Sequence, residues 1–193
     1  LTGQGATGAT TITVTGGDGG NGGDAGTGAV GVAGAAGGVA TLNLSGATSS
    51  ANITLADGTA GTAGTLDAAG GAGGAGGAAG GAVLAFTATH TLTGTILAAT
   101  DGEGSITNSA ALTIVGSIGA SGTELDDLTA THSVTTNGSL YIKDISLADE
   151  TSDLTLNGTT ANTVSGAIFS LNNASDMVTG ESSNWTFAGA VGK

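Results

Sequence analysis

The chain has 193 residues, of which 39 are glycine and none is proline or cysteine, and its only basic residues are Lys143 and Lys193. Fifteen acidic residues bring the formal net charge to −13, which disfavours nucleic acid and anionic membranes as partners because both attract Lys and Arg. No apolar run is long enough to span a bilayer, so membrane insertion is not expected.

Stretches in which apolar and polar residues alternate predict β-strands along the whole chain. No stretch has a helical apolar stripe with a cap, so we expect an all-β fold with no helix of consequence. Five aromatic residues cannot fill a thick core, and we expect a thin one of Val, Ile, Leu and Ala. The predicted strands are 11–15, 41–45, 52–55, 83–93, 111–115, 139–142, 153–157 and 184–187.

Two glycine runs interrupt the first strands. From Gly16 the triplets are GGD GGN GGD AGT GAV GVA GAA GGV, and from Gly58 they are GTA GTA GTL DAA GGA GGA GGA AGG. A flexible linker has no reason to keep this phase, whereas polyproline-II geometry has three residues per turn. We predict packed polyglycine-II-like segments at 16–39 and 58–81.

GGNGGDAGT (19–27) also partly matches a calcium-binding nonapeptide, but Gly26 stands where a large apolar residue belongs.

The flanks of the two glycine runs are similar, since Ile12 and Ile53 are 41 residues apart and Val39 and Val83 are 44 apart. Residues 10–94 thus form an imperfect tandem repeat, which is typical of stacked architectures. Residues 91–109 resemble 163–182 at an offset of 72, with short strands between Gly or Asn-Gly turns. We predict an elongated β-solenoid or parallel β-helix-like fold, with a glycine-rich region at 1–94 and a β-solenoid-like region at 95–193.

Residues 91–170 carry a family resemblance. ATDGEGSITNSAALTIVGSIGASGTELDDL, VTTNGSLYIKDISL and LTLNGTTANTVSGAI resemble the repeats of bacterial autotransporter passengers and giant surface proteins of the rickettsial outer membrane protein B type. This resemblance implies secretion, a β-solenoid and a surface role. GGDGGNGGDAGTGA and GGAGGAGGAAGG are similar in composition to mycobacterial glycine-rich surface repeats and to glycine-rich sandwich domains of phage tail adhesins.

Acidic loops are the candidate metal sites. TDGEG (100–104) and ELDD (124–127) place Asp101, Glu103, Asp126 and Asp127 in presumed loops, and calcium prefers several carboxylate and carbonyl oxygens in flexible loops. These four residues are the candidate calcium ligands, and a solvated acidic surface is the alternative interpretation. Calcium is the only cofactor that the sequence favours, and no cofactor is required.

Catalytic motifs are missing from the sequence. His90 and His132, in TATHT and TATHS, have no partners that suggest a zinc site and are expected to be exposed strand residues. No G-x-S-x-G elbow, Ser-His-Asp grouping or phosphate-binding loop can be argued. We therefore expect no enzymatic activity.

The sequence favours a structural function. We expect a subunit or repeat of a self-assembling extracellular filament, sheath or surface layer, because open strand edges invite another copy and few aromatic residues are available to bind a foreign partner. Ile12 and Val14 near one end, with Trp185 and Phe187 near the other, are expected to join copies head to tail.

Two other functions stay open. An adhesin segment, as an autotransporter passenger or a phage fibre tip, would bind a cell surface or glycan. Alternating threonines in TTITVT and TATHTLTGT make ice binding a third hypothesis. The absence of cysteine fits an extracellular location, and Leu1 in place of methionine indicates a processed product or a segment of a larger protein.

Overall fold

The computed structural model describes residues 10–67, 71–170, 178–180 and 185–192, and within them the chain is all-β with no helix. This confirms the fold class predicted from the alternating pattern. The strands are β1 (Thr10–Thr15), β2 (Ala40–Leu44), β3 (Thr48–Ala56), β4 (Ala82–Phe86), β5 (His90–Thr93), β6 (Ile96–Ala98), β7 (Ser105–Asn108), β8 (Leu112–Val115), β9 (Leu125–Ala130), β10 (Val134–Thr136), β11 (Ile142–Leu147), β12 (Leu154–Leu156), β13 (Asn162–Val164), β14 (Ala167–Ser170), β15 (Val178–Gly180) and β16 (Trp185–Phe187).

The chain divides into two compact units. The strand unit comprises residues 1–14, 41–55 and 83–193, and the glycine unit comprises 15–40 and 56–82. Residues on both sides of position 95 belong to the strand unit, and the predicted boundary there stays a prediction.

Three sheets build the strand unit. The largest has the order β1-β3-β5-β8-β10-β12-β15 with β6 also beside β3, the second has β14-β11-β9-β7-β4-β2, and the third pairs β13 with β16. The strands pair in parallel, as β5 does with β8 and β9 with β11. Parallel sheets without helices are consistent with the predicted β-helix-like architecture.

Apolar columns form the core of the strand unit. Ile96, Ile118, Leu140 and Val164 are joined one to the next by parallel bridges, 22 to 24 residues apart, and all four are fully buried. Each bridge therefore places one buried aliphatic side chain beside the next in the column. Phe86 is the only aromatic residue among the buried hydrophobic residues of the described chain, so aliphatic contacts dominate this core.

Two predicted strands differ from those observed. The stretch 83–93 is not one strand, because β4 ends at Phe86 in the six-stranded sheet and β5 begins at His90 in the eight-stranded sheet. The alternation continues through the change of sheet, so it could not reveal the break. In the predicted strand 139–142, Leu140 forms an isolated bridge and the regular strand β11 begins only at Ile142.

His90 was expected to be exposed, and this was wrong. Its side chain is buried, with Nε2 2.8 Å from Ser49 Oγ and Nδ1 hydrogen-bonded to the carbonyl oxygen of Gly46. Its ring centroid lies 5.3 Å from that of Phe86. Both ring nitrogens are occupied within the fold, so His90 has a structural role at the start of β5.

Four segments, which we call G1 (16–25), G2 (29–39), G3 (57–67) and G4 (71–81), make up most of the glycine unit. Their backbones are hydrogen-bonded to one another at every third residue. The amides of Gly16, Gly19 and Gly22 in G1 donate to the carbonyl of Ala56, at the end of β3, and to those of Thr59 and Thr62 in G3, with N···O distances of 2.8 to 2.9 Å. G1 also donates to G2, G2 to G4, G3 to G4 and G4 to G1 with the same spacing. The three-residue phase of the sequence is therefore the phase of the hydrogen bonds.

The repeated glycines are the residues at which two of these backbones meet. A Cβ built on Gly16, Gly19 or Gly22 would fall on carbonyl groups of G4, and one built on Gly34 or Gly37 would fall on carbonyls of G1. Glycine is required at such positions because only a residue without Cβ lets the backbones come this close.

Neighbouring glycines provide a matched test of this packing. A Cβ on Gly37 would overlap the carbonyl of Gly17, whereas one on Gly38 would have nothing within 4 Å. We expect Gly37→Ala to lower the free energy of unfolding by about 1–3 kcal/mol or more through overpacking. Gly38→Ala should be neutral, or stabilising by about 0.4–1 kcal/mol, because alanine restricts the unfolded chain. Urea unfolding followed by circular dichroism measures both, and equal effects of the two substitutions would contradict close packing at Gly37.

Candidate functional site

The outer face of the six-stranded sheet carries an acidic strip. Register pairs Ser105 with Asp127 and Asp127 with Asp144 on neighbouring parallel strands, so the last two carboxylates are adjacent. Asp126 precedes Asp127 in β9, and Lys143 precedes Asp144 in β11. The strip therefore combines like charges on adjacent strands with a single cation.

Lys143 and a backbone amide hold Asp101. The Nζ of Lys143 lies 3.2 Å from Asp101 Oδ2, and the amide of Glu124 donates to Asp101 Oδ1 at 2.9 Å. The hydrogen bond from the Glu124 amide, and after it the contact with Lys143, hold the pKa of Asp101 below its ordinary value, since both favour the carboxylate. Glu103 accepts from the amide of Thr100 at 3.1 Å, so both loop carboxylates have partners within the protein.

The four candidate calcium ligands lie on two elements. Asp101 and Glu103 are in the loop between β6 and β7, and Asp126 and Asp127 are in β9 rather than in a loop. Within the described residues, no three His, Cys, Asp or Glu side chains are grouped so that they could hold a metal ion. Calcium binding at these residues stays a prediction, and a melting temperature that falls on addition of a chelator would support it.

Asp127 is the carboxylate of the strip whose charge is destabilised by its surroundings. It is half-buried, and its Oδ1 is buried with no hydrogen-bond partner in the described structure. Burial, together with the nearby charges of Asp126 and Asp144, raises the pKa of Asp127, although a hydrogen bond from Ser105 opposes the shift. The ionised form is therefore disfavoured in the folded state.

Removing the charge of Asp127 should stabilise the protein at neutral pH. Because the pKa of Asp127 is raised in the folded state, its ionisation lowers the free energy of unfolding at a pH above that pKa. This destabilisation disappears as the pH falls through the pKa. We expect Asp127→Asn to raise the free energy of unfolding at pH 7 by up to about 1 kcal/mol, since solvent screens a half-exposed group. The gain should shrink at pH 4. Melting curves at both pH values measure it, with the exposed Asp126→Asn as the control for net charge; an equal gain in both variants would contradict the effect of burial.

Polar side chains of G1 bind G3 in a ladder with the same three-residue spacing. Asp18 accepts from Thr59 N at 2.8 Å and Thr59 Oγ1 at 2.9 Å, and Asp24 accepts from both groups of Thr65 at 2.8 Å. Asn21 accepts from Thr62 N at 3.0 Å. The aspartates and asparagine of GGDGGNGGD thus satisfy amides of the neighbouring segment. The partial nonapeptide match therefore has a structural explanation that needs no calcium.

The ladder should weaken in acid at its two aspartates. The amide and hydroxyl of Thr59 lower the pKa of Asp18, and those of Thr65 lower the pKa of Asp24, so their stabilisation is present above the unfolded pKa and lost as the pH falls through the folded one. We expect the exchange protection of the Thr59 and Thr65 amides to fall below pH 3.8, the ordinary aspartate value. Amide hydrogen exchange, corrected for intrinsic rates, measures this.

Asn21 supplies the control for this prediction, because an amide side chain does not titrate. Replacing both aspartates by asparagine should keep the acceptors and make the protection of Thr59 and Thr65 independent of pH in this range. Protection that still falls in the asparagine variant would show that these carboxylates are not the acid-sensitive groups.

The edges of the sheets contain the four predicted assembly residues. Ile12 and Val14 lie in β1, the first strand of the eight-stranded order, where Val14 is buried and Ile12 is half-buried. Trp185 and Phe187 lie in β16, which pairs with β13, and Phe187 is 41% exposed. The structure places one pair on the first strand of one sheet and the other pair on an outer strand of another.

Sequence reasoning missed two further apolar residues near the second pair. Phe169 in β14 is 36% exposed, and Val191, which forms a parallel bridge to Ile168, is 55% exposed. Phe169 follows the inward-facing Ile168 in an ordinary alternating strand, and only the sheet order shows that this strand is the last regular one of its sheet, with residues 190–192 beside it.

A column of threonines follows the outer face of the eight-stranded sheet. The register aligns Thr48 with Thr91, and then in turn Thr113, Thr135 and Thr155. Strands in a sheet are about 4.7–4.9 Å apart, so the column repeats at that spacing. No second threonine column lies beside it, because the residues two positions after Thr91, Thr113 and Thr135 are Thr93, Val115 and Asn137.

None of the described residues forms a helix long and apolar enough to cross a membrane. Comparisons with protein-family models, curated proteins and solved structures found no match to this chain. Functional inference therefore depends on the geometry and on the sequence itself.

Proposed function

We propose that the three parallel sheets are the faces of a β-solenoid and that G1 to G4 are polyglycine-II-type helices packed in a bundle. The bridges from Ile96 to Val164 at intervals of 22 to 24 residues support the solenoid, because each interval corresponds to one turn. Hydrogen bonds between segments recur at every third residue, and no backbone hydrogen bond of the described structure joins two residues of the same segment. Both features support the polyglycine-II geometry, which has no internal hydrogen bonds.

The function we propose for this architecture is structural: a subunit or repeat of a self-assembling extracellular filament, sheath or surface layer. The observation on which this depends is the state of the outermost strands. Among the described residues, β1 and β2 have a strand on one side only, and so do β15 and β16. The outer side of β14 is paired with residues 190–192 through the backbone of Ile168. Such edges present unpaired N–H and C=O groups that another copy can pair with.

The composition of these outer strands supports pairing between copies. β1 (TTITVT), β2 (ATLNL), β15 (VTG) and β16 (WTF) contain no charged residue, and the chain has no proline. The inner strands β9 and β11 do contain charges, at Asp126, Asp127, Lys143 and Asp144. Charges and proline are the usual protection of an edge strand against association, and here the outer strands have neither.

Chain polarity supports a head-to-tail arrangement. In a stack of parallel strands, the first and last strands present different edges, so one copy's β1 and β2 would meet the next copy's β15, β16 and residues 190–192. Phe169, Phe187 and Val191 would supply the apolar contacts on one side, with Ile12 on the other. Such contacts do not close and would give a fibre. A net charge of −13 opposes association, so added salt should favour it.

An adhesin segment is the second candidate, and the threonine column favours it. A regular row of hydroxyl and methyl groups on a sheet face offers a repeated contact to a glycan or a cell surface. In this alternative, further strands of a longer surface protein cover the open edges, as the resemblance to autotransporter passengers implies. The same column keeps ice binding as a third hypothesis. We propose no enzymatic activity, and both ring nitrogens of His90 are engaged in the fold.

Assembly should depend on Phe187 and not on an equally exposed residue elsewhere. Val115 is 39% exposed on β8, an inner strand, and Phe187 is 41% exposed on β16. We expect the unaltered chain and Val115→Ser to form fibres and Phe187→Ser to stay soluble and folded, with at least a tenfold higher concentration needed for assembly, about 1.4 kcal/mol per contact. Light scattering and negative-stain electron microscopy, with circular dichroism to confirm folding, measure the difference.

The outcomes separate the candidates. Fibres formed by Phe187→Ser as readily as by the unaltered chain would contradict assembly through β16. An unaltered chain that remains monomeric at high salt, yet is retained by cells or immobilised glycans, would replace the filament by the adhesin. Shaping of ice crystals by the monomer would favour ice binding.

A further inference from the structure

The glycine unit has a donor edge and an acceptor edge. G1 donates from Gly19 and Gly22 to the carbonyls of Thr59 and Thr62 in G3. The ladder aligns Asp18 with Thr59, an offset of 41, so the residues of G3 that correspond to Gly19, Gly22 and Ala25 are Ala60, Ala63 and Leu66. The amides of these three have no hydrogen-bond partner within the described part of the chain. They form the donor edge.

The acceptor edge lies on G1. The carbonyls of Asp18, Asn21 and Asp24 correspond to those of Thr59, Thr62 and Thr65, which accept from G1, yet they receive no backbone hydrogen bond in the described structure. Their spacing equals that of the free amides on G3. A second copy's G1 could therefore meet this G3 in the register that G1 and G3 already have within one chain.

Side chains distinguish the covered position from the free one. A Cβ at Gly19 or Gly22 would overlap the carbonyls of Gly77 or Gly74 in G4, so the covered positions of G1 must be glycine. The free positions of G3 hold alanine at 60 and 63 and leucine at 66, which is 78% exposed. If another hairpin packed on G3 as G3 and G4 pack on G1, these side chains would meet its backbone carbonyls.

We propose that Ala60, Ala63 and Leu66 are a steric stop that prevents the glycine unit from adding a second copy's hairpin at its donor edge. The amides and carbonyls on the two edges match, and the side chains keep them apart. The proposal does not depend on assembly through the outer strands of the sheets, and it confines association between copies to surfaces other than this edge.

Removing the stop should create a new association. The variant Ala60→Gly, Ala63→Gly, Leu66→Gly exposes three aligned amides to another chain's G1. We would make it in the full chain with Phe187→Ser, so that fibres formed through β16 do not obscure the result. Sedimentation velocity should show concentration-dependent dimers and larger species, where the Phe187→Ser parent sediments as a monomer.

A matched control replaces the same number of exposed side chains on a segment whose carbonyls at these positions are already occupied. Ala72, Ala75 and Ala78 in G4 are exposed, and their carbonyls already accept from Gly31, Gly34 and Gly37. Changing these three to glycine in the Phe187→Ser background should leave a monomer. A monomeric stop variant, or equal association of both variants, would overturn the proposal.

Hydrogen exchange tests the same edge without any substitution, so a variant that fails to fold leaves the proposal falsifiable. In the unaltered protein, at a concentration where it is monomeric, the amides of Ala60, Ala63 and Leu66 should exchange at nearly intrinsic rates. The intervening amides of Gly61 and Gly64, which donate to G4 at 2.8 and 2.9 Å, should be protected at least tenfold more. Protection of Ala60 and Ala63 equal to that of Gly61 would show that the edge is covered and would overturn the proposal.

Discussion

Backbone hydrogen bonding between neighbouring segments is the interaction on which the rest of this structure depends. In the strand unit it runs between parallel strands in register, and in the glycine unit it recurs at every third residue between G1, G2, G3 and G4. Buried N–H and C=O groups must be paired, and this requirement fixes the spacing of everything attached to them. Side chains then either fill the columns, as Ile96 and Ile118 do, or are absent, as at Gly37.

Different interactions offset the loss of conformational entropy on folding in the two units. Aliphatic columns in the strand unit bury apolar surface, and Phe86 adds the one fully enclosed aromatic ring that the structure describes. The glycine unit has little apolar surface to bury, and each glycine loses more conformational freedom than any other residue. Close backbone contacts, dense hydrogen bonds and the ladder from Asp18 to Thr65 offset that loss. Backbone hydrogen bonds, supplemented by this polar ladder, therefore take the place of an apolar core in this unit.

Charge is distributed unevenly between the inner and the outer strands. The carboxylates near Lys143 lie on inner strands and their loops, where Asp127 is held at some cost beside Asp144. The outer strands contain none, and apolar residues such as Phe187 are exposed there. In the proposed assembly, the acidic surface would limit nonspecific association, and the uncharged edges would set the direction in which copies add. In the glycine unit, Ala60 and its equivalents would close the other backbone edge.

The sequence alone determined the properties that depend on local periodicity. Alternation predicted the all-β class and several of the strands, among them Thr10–Thr15 and Trp185–Phe187, because the side-chain period of a strand is two wherever the strand lies. It missed short strands such as Ser105–Asn108 and Leu125–Ala130. The triplet phase predicted where glycine would be required, and the repeat of 41 residues between Ile12 and Ile53 is also the offset between Asp18 and Thr59. The placement of Ile12 and Phe187 in outer strands followed from their nearness to the chain ends.

Only the tertiary structure decided which segments are neighbours, because a period does not say what lies beside it. The alternation of 83–93 continues where the chain leaves one sheet for another, and so it hid both the break after Phe86 and the burial of His90. Asp101 and Asp127 look alike as loop carboxylates, yet Lys143 and an amide hold the first while burial strains the second. Ala60 differs from Gly19 only by a methyl group, and the stacking order alone shows that one position is open and the other is covered. Such differences arise from contacts between residues far apart in the chain, which no local pattern records.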